Sequence, residues 1–262
     1  MLFFIISFVA SIVGAICGIG GGVIIKPVLD MFQLESVSTI SFLSGCTVLS
    51  MSCYSVGKSV IAHEKKVKTS IGLPLAAGAA LGGIIGKQIF TFLKSLSGNQ
   101  NGVGLIQAIC LGIITLGTLI YILNRPRIKT HEAKNPVLCI LIGFTLGILS
   151  SFLGIGGGPI NLVVLYYFFS MDTKTAAANS LYIILFSQIT SLLTTFYTHT
   201  IPDFQFQSLL LMVAGGIGGG IAGRILNRKM DNHMVDKLLV SVMAVIICIC
   251  VYNGFQCLAK TG

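Results

Sequence analysis

Charge is scarce in this chain. Asp, Glu, Lys and Arg make up 10% of its 262 residues, against 54% hydrophobic residues and a mean hydropathy of +0.93. A soluble domain carries about a quarter charged residues. The composition therefore excludes a cytosolic enzyme, a nucleic-acid-binding domain and a disordered chain, despite a net charge of +9. Tryptophan is absent, so an interfacial aromatic belt has to be built from Tyr and Phe. Carboxylates are missing from the middle of the apolar runs: Asp30, Glu35, Glu64, Glu132, Asp172, Asp203, Asp231 and Asp236 fall in loops or at segment ends. That absence argues against a carboxylate proton relay. With no Asp pair, no HExxH and no Ser/His pairing at depth, it argues against an intramembrane hydrolase as well.

What is present is apolar sequence in spanning lengths. Segments run at about 1–29, 37–62, 71–96, 103–124, 136–169, 175–198, 206–227 and 235–258, and a membrane-crossing helix needs about 20 such residues. The fold class is all-α and polytopic, a membrane protein whose first partner is the lipid bilayer. Residues 1–17 lack a basic n-region and a small-x-small exit, and read as a retained helix rather than a cleaved leader. Seven of the eight cysteines lie inside apolar runs and the eighth, Cys257, near the end of one, where thiols act as small hydrophobes. Neither a metal nor an organic cofactor is implied.

The chain is internally duplicated. Gly18-Ile-Gly-Gly-Gly22 returns as Gly154-Ile-Gly-Gly-Gly158, and at the same offset Ile12 matches Ile148, Thr39 matches Thr175, Ser44 matches Ser180 and His63 matches His199. One residue out of that register, Gly78, Gly82, Gly83, Gly86 and Lys87 match Gly215, Gly219, Gly220, Gly223 and Arg224. Two homologous units follow, 1–125 and 136–262, joined by a basic linker at 126–135 expected on the cytoplasmic side. If every apolar segment crossed once, the cations would divide nearly evenly between the two faces. If segments 1–29 and 136–169 instead turn back at their glycines, Lys87, Lys94 and Lys260 stand alone on one face. Every other cation except Lys26, which lies at membrane depth, then gathers on the opposite face. The positive-inside rule selects the second arrangement: inverted repeats with Gly-broken, re-entrant or discontinuous helices in a bacterial-type cell membrane.

The broken segments supply the candidate site. Irregular backbone at membrane depth persists only when buried in protein or lining a wet cavity. A helix that starts there presents bare amides and a positive dipole end. Two such starts, after Gly20-Gly21-Gly22 and after Gly156-Gly157-Gly158, would together receive a small anion; Pro159 suits a first helical position. Lys26, in an apolar stretch ended by Pro27, is expected to add charge. Leu162 is the repeat mate of Lys26, and Asn161 beside it would donate to an oxyanion; Asn179 and Ser180 are read as opening the next helix, with Ser44 as the repeat mate of Ser180. Gln188 continues that face with Ser191. Lys58, Lys87 and Arg224 lie near run ends and read as snorkelling cations. His63 and His199, at the ends of matching helices, are candidates for a pH-sensitive gate or simply interfacial.

These motifs resemble the sulfite exporter TauE/SafE family over nearly the whole chain. The resemblance is carried by Gly18-Ile-Gly-Gly-Gly-Val-Ile-Ile-Lys-Pro27, Gly154-Ile-Gly-Gly-Gly-Pro159, Ala176-Ala-Ala-Asn-Ser180, Ile201-Pro-Asp-Phe204 and Gly219–Gly223. It implies a permease for small anions, typically sulfite, sulfonates or related sulfur compounds, and no enzymatic activity. A passive anion channel and a membrane accessory protein without transport remain as alternatives, and nothing in the sequence fixes an oligomeric state.

Overall fold

The computed structural model describes residues 1–62, 69–97, 100–133 and 135–261, and among these it contains helices and no strands. The first unit holds α1 (Leu2–Cys17), α2 (Gly22–Phe32), α3 (Val37–Ile61), α4 (Thr69–Ser97) and α5 (Gln100–Asn124). After a single 3₁₀ turn at Arg125–Arg127 the second unit repeats the pattern. It comprises α6 (Pro136–Leu153), α7 (Pro159–Phe169), α8 (Thr173–Tyr197), α9 (Phe206–Lys229) and α10 (Asn232–Thr261). Seven of these are long and apolar enough to cross a bilayer: α3, α4, α5, α6, α8, α9 and α10. The apolar segments 1–29 and 136–169 are each two helices, split where the glycines fall.

Local signals explain the breaks. Gly18 and Gly154 close α1 and α6 in the left-handed region, at φ 74° and 65°, a conformation that costs glycine nothing. Beyond Gly18 the chain doubles back, so that a Cβ on Gly21 would lie 3.1 Å from Ser11 Oγ in the middle of α1. The long central helices start at matched caps, Ser36 accepting from the Thr39 amide at 3.1 Å and Asp172 from the Thr175 amide at 3.2 Å. Asn179 and Ser180 therefore sit two turns inside α8 rather than at its start, because Asp172 offers a carboxylate cap seven residues earlier. Pro27 does not end its segment either; α2 runs on to Phe32.

The two units are interleaved. Glycines of α9 lie against α1: side chains at Gly219 and Gly223 would collide with the Phe8 and Ile12 carbonyls. In the same way Gly78, Gly82 and Gly86 of α4 lie against the Ile140, Phe144 and Ile148 carbonyls of α6. Small residues that let backbones touch are how helices associate where lipid removes the hydrophobic drive. α3 and α8 form the centre, with 67% and 61% of their apolar windows buried against 28% for α5 and α10. They run antiparallel: the Phe42 ring meets Phe196 at 6.3 Å, and Gly45 faces Gln188. Exposed Ile109, Ile113, Leu116 and Ile120 of α5, with Val245, Val251 and Phe255 of α10, give the periphery the apolar coat a bilayer requires.

Candidate functional site

The two glycine turns meet. Measured from the position a side chain on Gly20 would occupy, the Gly156 carbonyl oxygen is 3.8 Å away; from that position on Gly158, Val23 Cγ2 is 3.9 Å away. A Cβ on Gly22 would strike the Ile155 carbonyl oxygen. All six glycines, Gly20, Gly21, Gly22, Gly156, Gly157 and Gly158, are buried. Among the described residues, the amides of Gly20, Gly21, Gly22 and Val23 reach no backbone acceptor, nor do those of Gly156, Gly157, Gly158 and Ile160. Two helices of 11 residues, α2 and α7, thus begin at one place with uncommitted N–H groups and positive dipole ends.

The central helices wall this junction. Ser44 Oγ lies 2.9 Å from the Gly22 side-chain position, Gln188 Cδ 3.3 Å from that of Gly156, and Asn161 Nδ2 3.3 Å from that of Gly157. Ile184 and Val48, repeat mates on α8 and α3, fill the space beside Gly20 and Gly156. Ser44, Ser180 and both amide atoms of Asn161 are buried without a hydrogen-bond partner among the described residues. In a low-dielectric interior an unmet polar group costs about 1–3 kcal/mol, so this is a costly arrangement for a purely structural core. Asn179 donates to the Thr175 carbonyl at 2.8 Å and is fully buried, one residue before Ser180.

Lys26 is not part of this junction. Its ammonium, on a residue 3% exposed, donates to Asp30 Oδ2 at 2.9 Å and faces a small cavity bordered by α5 and α10. Val23, one turn earlier on α2, belongs to one apolar cluster with Leu111 of α5 and Ile246 of α10. Asp30 lies in the last turn of α2.

Two clefts approach the junction from opposite ends of α3 and α8. One is lined by Ser55, Ser59, Ala177, Lys174, Arg224 and Arg228 among others; the other by Ser191, Thr195, Ser41, Gln188 and Lys87. They are built from matching positions of the two units: Ser55 with Ser191, Ser59 with Thr195, Ala177 with Ser41, Arg224 with Lys87. Arg224 donates to the Ser55 carbonyl at 2.8 Å and to Ser59 Oγ at 2.7 Å, which holds its guanidinium at the cleft wall. Lys58 lines a neighbouring hollow with Arg224 and Arg228. The run-end cations read as snorkelling thus line these hollows. Sequence reasoning missed Ser41, Ser55 and Thr195 as wall residues; the duplication register that paired Ser44 with Ser180 would have paired them too.

Other expectations resolve more simply. His199 is exposed just beyond α8 with φ 51°, and its mate His63 lies outside the described residues. Cys17, Cys139 and Cys250 are buried in apolar clusters. No group of three or more His, Cys, Asp or Glu residues able to hold a metal occurs among the described residues.

The chain is similar over 208 residues, at 26% identity, to the probable membrane transporter protein YunE of Bacillus subtilis (strain 168), a match covering 71% of this chain and 74% of that protein. No solved structure matches it. The family model described as sulfite exporter TauE/SafE matches residues 3–249. With its seven bilayer-length helices, the chain is a multi-pass membrane protein and belongs to the sulfite exporter TauE/SafE family of membrane permeases, a family of transporters and not of enzymes.

Proposed function

We propose that this permease carries a small anion, of the sulfur oxyanion class, through a site at the junction of the two glycine turns. The observation that carries the reading is the meeting of two buried helix N-termini whose amides are uncommitted. Such a pair offers an oxyanion several N–H donors and two positive dipole ends without a formal charge at the site. Ser44, Asn161, Asn179, Ser180 and Gln188 orient the anion; the glycines let it approach the backbone. Sulfur oxyanions suit this cradle because three or more oxygens around one centre can accept from both turns at once.

The antiparallel course of α3 and α8 supports an inverted relation between the units, in which the paired clefts open to opposite faces. The junction then acts as the partition between two access paths, and exchanging the conformations of the two units transfers exposure from one cleft to the other. The cation-rich cleft, on the face that also bears Lys58, draws anions from the side the charge distribution marks as cytoplasmic.

The closed partition favours a carrier over a channel. The test is flux in proteoliposomes with labelled sulfite, thiosulfate, methanesulfonate and acetate. Saturable uptake of the sulfur oxyanions, accelerated by unlabelled anion inside, supports the carrier. Unsaturable flux without such acceleration would replace it by a channel, and no flux with any anion would remove transport of this class.

A further inference from the structure

The Lys26–Asp30 pair lies outside the junction, and its surroundings are polar in a way that packing does not require. Lys26 is followed one turn later on α2 by Asp30, its partner at 2.9 Å. The cavity they line is completed by Gln107 of α5 and by Cys250 and Asn253 of α10. Gln107 and Asn253 are 3% and 6% exposed. Each amide is aimed by its own N–H₂: Gln107 Nε2 donates to the Phe152 carbonyl at 2.7 Å, and Asn253 Nδ2 to the Pro27 carbonyl at 2.8 Å. Their oxygens, Gln107 Oε1 and Asn253 Oδ1, and the second carboxylate oxygen, Asp30 Oδ1, are buried with no partner among the described residues. Three acceptors therefore lack donors around one cavity, next to an ammonium that uses one of its three.

The pocket is also tied to both glycine turns. Phe152 precedes the Gly154–Gly158 turn by one residue beyond Leu153, and Pro27 lies in the helix that starts at Gly22. A change of charge in the pocket thus acts on the two segments whose N-termini meet at the junction.

We propose that this pocket is a proton-coupling site, with Asp30 as the group that takes up the proton, so that a proton and the anion travel together. The inference rests on the anion-carrier reading above. A proton from water at the membrane surface adds to the Asp30 carboxylate, which is 22% exposed near the end of α2; the ion pair is broken, and it re-forms when Asp30 returns the proton to water on the opposite face as the anion leaves. The pair changes from neutral to a net charge of +1 on Lys26. The freed ammonium finds acceptors in Gln107 Oε1 and Asn253 Oδ1, so it remains solvated at depth. The new positive charge, acting through a poorly screening interior, favours an anion at the junction, and a bound anion in turn favours the proton.

Among the residues that line the cavity, Asp30 is the carboxylate. α10 contributes Cys250, a thiol in contact with the same cavity; α5 contributes Gln107, Ala108 and Leu111, and Leu153 closes the end of α6. α1 carries no charged side chain, and the one on α3, Lys58, lines the hollow beside Arg224.

The test uses the full chain in proteoliposomes clamped at zero membrane potential with valinomycin and equal potassium. The probe is labelled methanesulfonate, an anion at every working pH, so the substrate itself carries no proton. With one proton per anion, the wild type accumulates it about tenfold per unit of pH gradient, the equivalent of 1.36 kcal/mol. In Asp30→Asn that accumulation ratio falls to one. Accumulation by Asp30→Asn equal to wild type, or no accumulation by wild type while methanesulfonate still exchanges across the membrane, overturns the proton site and leaves the carrier standing. Absence of exchange as well refutes the carrier for this probe. Should Asp30→Asn fail to fold, Gln107→Leu with Asn253→Leu decides. Loss of the two acceptors shifts the pH midpoint of wild-type uptake to lower pH, and an unmoved midpoint overturns the proposal.

Discussion

The carbonyl oxygen of Ile155 occupies the place where a side chain on Gly22 would begin. The two residues belong to different repeats, so this one contact couples the start of α2 to the turn before α7. Gly22→Ala should cost about 1–3 kcal/mol, as overpacking does, and abolish anion flux. Gly57→Ala, in α3 with nothing near its side-chain position, should leave both intact. Thermal unfolding in detergent and flux from the same preparations check the pair; equal behaviour would mean the turns need not touch.

Asn161 is the position where stability and activity should part. Its amide is 1% exposed and both of its polar atoms are unmet by protein groups. Asn161→Ile, which installs the residue found at the matching position Ile25, removes that desolvation cost and should raise the unfolding temperature while cutting anion flux at least about tenfold, the equivalent of one good hydrogen bond. A variant that keeps full flux would take Asn161 out of the site.

The clefts give a topological prediction. Ser59 and Thr195 are matching residues, one in each cleft. In a background freed of native thiols, cysteine at Ser59 should react with an impermeant maleimide from one face only, and cysteine at Thr195 from the opposite face only. Labelling of both from the same face contradicts an inverted arrangement.

Asp172, in the loop before α8, offers a pH signature outside the membrane. Burial pushes its carboxyl up, but hydrogen bonds from the Thr175 hydroxyl and amide outweigh that and hold it below the usual carboxylate value. A lowered folded-state pKa contributes stability above the unfolded value and loses it as pH falls through the folded one. Asp172→Ala should therefore cost about 1 kcal/mol at neutral pH, the typical worth of a cap. The gap between variant and wild type should begin to narrow as pH falls below about 4, the ordinary Asp value, and go on closing as the folded-state carboxyl takes up its proton at lower pH. Unfolding measured between pH 7 and pH 3 checks it.

Much of this architecture was legible because duplication writes the same constraint twice. Gly18 and Gly154 recur because α1 and α6 must each end in a left-handed cap. The Gly78 and Gly215 rows recur because α4 and α9 each lie against a neighbouring backbone. Lys26 was legible as an unusual intramembrane cation but not in its surroundings, since its direction depends on how α2 rotates against α5 and α10, more than seventy residues away. The ion pair itself was readable at i, i+4 once α2 continued through Pro27. The start of α8 was misplaced because the run of alanines before Asn179 masked the stronger signal of Asp172 as a cap. The wall residues Ser41, Ser55 and Thr195 are ordinary hydroxyls in sequence; only the crossing of α3 with α8 makes them line anything.

Because α1 packs along α9 and α6 along α4, neither repeat owns a complete set of neighbours. A ribosome that has delivered only the first five helices has released a half in which the glycine face of α4 and the α1 face that α9 covers look onto lipid. The seams close only when the last helices arrive. Assembly therefore has to wait for the end of translation, and a truncated product should be a substrate for membrane quality control rather than a stable half-transporter.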